Sequence, residues 1–167
     1  MNKQLFIDLR DRLRTSNEIK HVALFNSQYT HEKEEKVFQF PATFVEFSRM
    51  DYRSESYGVE KVDIEITIHV CFRQLVEDLS FMDIIQNVSY LLHKWGGTYF
   101  SPLQRVSEEQ DSDHDNVFVW KLVFKTTATD ENSVNTKALT LINTPRTLEV
   151  LKDLDIDNNI IRTGDGQ

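Results

Sequence analysis

Apolar and polar residues alternate without a break from Lys61 to Arg73. Val62, Ile64, Ile66, Ile68, Val70 and Phe72 fall on one side, and Lys61, Asp63, Glu65, Thr67, His69, Cys71 and Arg73 on the other. A period of two is the pattern of a strand with one buried face. At about 3.3 Å per residue such a strand runs roughly 40 Å, longer than most. The period then changes. Phe81, Ile84, Ile85, Val88, Leu91, Leu92 and Trp95 repeat at helical spacing and predict a helix over residues 80–95. Ser80 suits its N-cap, Asp83 its first turn, and Gly96 and Gly97 its stop. The apolar stripe of this helix, Leu91 included, is expected to lie on the Ile66 and Ile68 face of the strand.

The remaining elements are read in the same way. Leu5, Leu9 and Leu13, with Phe6 beside them, predict a helix over residues 4–14. Arg10, Arg12 and Arg14 cover its other side, with Asp8 and Asp11 in pairing distance, and read as a solvated face. Residues 19–26 form a first strand, and residues 27–36, with their HEKEEK run, a solvated connector. Residues 37–50 are an aromatic-rich strand with Phe38, Phe40, Ala42 and Phe44 on one face and Val45 and Phe47 on the other. Pro41 inside it calls for an edge, a bulge or a later start. Residues 51–60 read as a polar link, 98–106 as an extended piece interrupted by Pro102, 107–116 as an acidic loop, and 117–128 as the last strand. Phe118, Trp120, Leu122 and Phe124 form the heavy face of that strand. The sum is an α+β fold in the order α-β-β-β-α-β-β, a largely antiparallel sheet packed on one side by helices. It occupies residues 1–130, followed by an extension over 131–167 that contains no Phe, Tyr or Trp. That extension is expected to be partly flexible or packed on a neighbouring subunit.

Composition narrows the function. Of 167 residues, 40% are apolar and 28% charged, and 19 basic against 27 acidic side chains leave a net charge of -8. That balance argues against a general nucleic-acid binder, which needs a basic surface. Cys71 is the single cysteine, so neither an intrachain disulfide nor a cysteine metal cluster is available. No apolar run reaches the length of a membrane span. The first residues, MNKQLFIDLRDRL, lack the apolar stretch of a secretory signal, so the expectation is a protein that works, or is assembled, in a cytoplasm.

The candidate chemistry is thin. Asp111, Asp113 and Asp115 have the spacing of the first three ligands of a calcium loop, but Asn116 stands where such a loop needs glycine and Leu122 where it needs glutamate. Glu108, Glu109 and His114 complete what reads as a solvated acidic loop. His21, His31, His69, His93 and His114 follow no metal-ligand spacing. His69 and Cys71 share a strand face but sit about 7 Å apart, too far for a direct hydrogen bond. Glycine-rich phosphate loops and nucleophile elbows are missing. The expectation is therefore a protein without catalytic, cofactor-binding or metal-binding residues, and hence without a cofactor.

The order of elements resembles the tail terminator proteins of long-tailed bacteriophages, the lambda-like tail-completion group. The resemblance runs from residue 4 to about 130: an amino-terminal helix, three strands ending at Arg73, the helix starting at Ser80, and closing strands through Ala128. It implies a structural subunit at the head–tail junction of a virion. Such a subunit forms a ring, hexameric in the family, that terminates the tail tube and joins tail to head. The implied partners are further copies of the chain, the tail tube protein and a head-completion or neck protein. DNA would pass only transiently through the channel, and no membrane is involved. The alternatives are another neck, head-completion, tail tube or baseplate protein, and a non-viral interaction domain.

Overall fold

A computed structural model describes residues 2–29, 38–55, 59–73, 79–111 and 117–130. The extension over 131–167, the connector residues 30–37 with His31, and Asp113, His114, Asp115 and Asn116 lie outside the described residues. The described elements are α1 (Asn2–Leu13), β1 (His21–Leu24), β2 (Ala42–Ser54), β3 (Glu60–Phe72), α2 (Ser80–Leu92), β4 (Gln104–Asp111) and β5 (Phe118–Asp130). The fold is α+β, in the expected order. Its five strands form one sheet in the order β1-β2-β3-β5-β4. β2–β3, β3–β5 and β4–β5 are antiparallel, whereas β1 lies parallel to β2.

The alternating strand behaves as its pattern demands. Val62, Ile64, Ile66, Ile68, Val70 and Phe72 turn to one face of the sheet and pack with Leu5, Leu9 and Leu13 of α1, Ile85, Val88 and Leu92 of α2, and Leu122 and Phe124 of β5. Leu91 is only partly buried, and Leu92 takes the fully buried position. α1 is not merely a solvated ledge on its basic side. Arg12 donates from Nε to the Leu91 carbonyl at 3.0 Å and lies over the Trp95 ring, tying the two helices together.

Several boundaries differ from the sequence reading. Ser80 is the first helical residue of α2. The cap position belongs to Leu79, in the left-handed region at φ 58 and without a side-chain cap. α2 ends at Leu92, and Lys94 takes the left-handed turn at φ 62, so the glycines do not stop the helix. They permit close approach instead: a Cβ on Gly97 would lie 2.2 Å from the Phe100 ring, and one on Gly96 3.1 Å from the Pro102 nitrogen. The described part of the 51–60 link is mostly strand, because β2 runs to Ser54 and β3 begins opposite it at Glu60. Residues 107–111, read as loop, belong to β4. An edge strand polar on both faces carries no apolar period, and its pairing with β5 supplies what the side chains do not advertise.

A bulge at Ser48 matters for the rest of the molecule. Register slips between Phe47 and Arg49, so residues facing the helices change from Val45 and Phe47 to Met50. The opposite face changes accordingly from Phe44 and Glu46 to Arg49, Asp51 and Arg53. Pro41 precedes the strand, in a cis peptide bond with Phe40, which is the later start its presence required.

Candidate functional site

With both helices on one face, the second face of the sheet is where the sequence leaves its unexplained polar residues. Two halves of this face have different fates. Because β1 and β2 are parallel neighbours, the chain between them must cross over. The described parts of this crossover, residues 25–29 and 38–41, lie on the second face at the end where β2 begins and β3 finishes. Phe25, Tyr29, Phe38 and Phe40 pack there on Ala42, Phe44, Cys71 and Val119 as a second, smaller core. The crossover is anchored by Phe25 N–H to the Val45 carbonyl at 2.8 Å and by Lys20 N–H to the Pro41 carbonyl at 2.9 Å.

His69 sits in this covered half and is 2% exposed. Its Nε2 lies 2.8 Å from Glu46 Oε2, and its Nδ1 lies 2.6 Å from the Tyr29 hydroxyl. A carboxylate only accepts, so Nε2 carries the proton and donates to Glu46, and Nδ1 accepts from Tyr29. The Phe25 ring stacks on the imidazole at 4.3 Å and 11°. Burial holds the His69 pKa below its ordinary value. The Glu46 hydrogen bond and charge work the other way, Lys121 adds to the lowering, and Asp111 opposes it. Burial also pushes the Tyr29 phenol and the Cys71 thiol up. Burial thus favours the protonated phenol and thiol and the neutral imidazole, the opposite of the shift that activates a nucleophile.

The other half of the face is open to solvent and covered with charge. Arg49, Asp51 and Arg53 on β2, Lys61, Asp63 and Glu65 on β3, and Lys125 and Thr127 on β5 stand side by side. Arg49 pairs with Asp51 at 2.8 Å, Lys61 with Glu55 at 2.8 Å, Lys125 with Glu65 at 3.3 Å, and Arg53 with Asp63. The Thr127 hydroxyl donates to Asp63 at 2.8 Å. Arg49 is 71% exposed and Lys125 57%. A shallow depression of about 430 Å³ lies among Arg49, Asp63, Glu65 and Lys125, bordered by Pro102 and Gln104. Exposed pairs of this kind contribute about 0–1 kcal/mol each to folding. Their contribution to holding the fold is therefore small.

The singled-out residues are thus distributed over unrelated places. His69 and Cys71 share the covered half, but His69 bonds to Tyr29 and Glu46 while Cys71 packs among apolar groups. His21 stacks on Phe38 at 5.8 Å at the edge of the same core. His93 lies at the end of α2, where its Nδ1 accepts from the Arg105 N–H at 3.3 Å. Asp111 is in β4, ion-paired to Lys121 at 2.7 Å. Among the described residues no three His, Cys, Asp or Glu side chains are grouped to hold a metal. Tyr29 and Glu46 escaped the sequence reading. Tyr29 lies in a stretch dominated by polar residues, although an aromatic there, four residues after Phe25, is the signal of a buried turn. No protein-family model matches the chain, and no curated protein matches it.

Proposed function

We propose that the protein is a structural subunit of a bacteriophage neck, closing with its copies into a ring that terminates the tail tube and joins it to the head. The observation that carries this reading is the open, ion-paired half of the second sheet face. The 13-residue strands β2, β3 and β5 run on past the second core and carry exposed Arg49, Arg53 and Lys125 beside a half-buried Asp63. Burying such a ladder against a surface of matching charge fixes orientation and register, which is what repeated subunits on a tube require. The covered half supports the same reading, since its packing stiffens the end of the sheet from which the ladder extends. In this proposal the protein acts through interfaces without catalysis or cofactor, its site is the head–tail junction of the virion, and DNA only passes through the ring.

The test has two parts. Light-scattering mass in solution, with and without purified tail tubes, is expected to rise to that of a ring when tubes are added. Electron microscopy of particles carrying a tagged copy should place the tag at the head–tail junction. Label at the distal tip or along the tube would move the protein to another tail role. A monomer that never joins particles would end the structural reading.

A further inference from the structure

We propose that the Tyr29–His69–Glu46 chain is a proton-operated latch: with His69 neutral it holds the turn over residues 25–29 down on the sheet, and protonation of His69 releases that turn. The latch is independent of what the protein assembles with.

The turn is braced from within and tied to β2 by the Phe25 N–H to the Val45 carbonyl. Gln28 bonds back to the Leu24 carbonyl and to the Asn26 N–H, both at 2.5 Å, and Ser27 adopts a left-handed conformation at φ 53. Its polar attachment to β3 is the Tyr29 hydroxyl on His69, beside the stacked Phe25 ring and the apolar contact of the cluster with Cys71. Among the described residues, each element packed around the imidazole presents a group that bears on its proton. Glu46 on β2 accepts from Nε2. Lys121 stands directly opposite on β5, paired to Asp111 of β4. Tyr29 comes from the turn, and Cys71 lies two residues along β3 on the same face.

With neutral His69, both ring nitrogens have complementary partners. A second proton makes Nδ1 a donor aimed at the hydroxyl that was donating to it, so the Tyr29 O–H has to turn away. It also places a cation where Phe25 excludes water and Lys121 opposes it. Glu46 partly compensates, but its bond to Nε2 survives whether the turn is closed or open. Lifting the turn hydrates the imidazolium and keeps that bond. The sign follows. His69 has a folded-state pKa below its unfolded value, so the closed state is fully favoured above about pH 6.5 and loses ground as pH falls toward the folded value.

Cys71 is a built-in reporter. It is the single cysteine, fully buried, and packed in the same cluster as Tyr29. The rate at which its thiol reacts with a dithiodipyridine reagent, relative to the urea-unfolded chain at the same pH, measures opening. Protection is expected to be high near pH 7.5 and to fall by up to about tenfold per pH unit below about pH 6.5, the limit for one proton, while far-UV circular dichroism stays constant. His69→Gln should give low, pH-independent protection. Tyr29→Phe, which keeps the ring, should lower protection near pH 7.5 at least several-fold. Protection that is flat with pH in the parent protein would overturn the latch. So would a pH dependence that persists in His69→Gln, or a loss of circular dichroism in step with thiol exposure, which would signal global unfolding.

Discussion

Thr43 is fully buried on β2, and its hydroxyl finds no hydrogen-bond partner among the described residues. An orphaned hydroxyl in a core costs roughly 1–3 kcal/mol of desolvation. Valine has the same shape and the same preference for a strand. Thr43→Val is therefore expected to stabilise the protein by about 1 kcal/mol, read as a rise of a few degrees in Tm. The opposite outcome is expected at Gly97. Its missing Cβ leaves room for the Phe100 ring, which is 4% exposed and packed against Trp95 and Tyr99. Gly97→Ala forces that ring to move within a filled space and should cost about 1–3 kcal/mol by chemical denaturation. Neither effect is visible in the chain as written. A threonine in a strand and a glycine after a helix are both unremarkable until the tertiary contacts are known.

At the scale of elements, β3 and α2 were legible because each is amphipathic with a single period, and that is also why their packing is predictable. Leu92 is fully buried between helix and sheet, while its neighbour Leu91 is only partly so. Leu92→Ala should cost about 2–5 kcal/mol through lost burial and a cavity, and Leu91→Ala only about 1 kcal/mol. Equal losses in thermal melts would contradict this placement of the stripe. Other elements were illegible for physical reasons. β4, QRVSEEQD, is exposed along nearly all its length, so its side chains carry no trace of a buried face. The parallel pairing of β1 with β2 is a topological fact, since His21–Leu24 reads the same whichever way its neighbour runs. The covered half of the second face depends on that pairing, because a parallel neighbour rules out a tight hairpin and requires a crossover. His69 was noticed in the sequence as one polar residue in an alternating row. Its partners arrive from Tyr29, 40 residues earlier, and Glu46, 23 residues earlier, and no local spacing announces them.

For the whole molecule the decisive contrast is between the two halves of one sheet face, one sealed by aromatics and the other open and charged. The charges of the open half contribute little to folding, since Arg49 and Lys125 are more than half exposed and each is matched to a neighbour already at the surface. Reversing them separates stability from assembly. Arg49→Glu combined with Lys125→Glu places like charges beside Asp51 and Glu65 and should lower Tm by no more than a few degrees, because the screened repulsion is on the order of 1 kcal/mol in total. The same pair changes the charge of the ladder by four units at its most exposed positions. If the ladder is the surface through which copies or tube are recognised, ring formation on tail tubes should fail in the double variant, and added salt should weaken assembly of the parent chain. A cooperative melt close to that of the parent, with no assembled species in light scattering, is the expected result. A double variant that assembles as well as the parent would exclude the open half of the sheet face as the interface and shift the search to the exposed β4 edge.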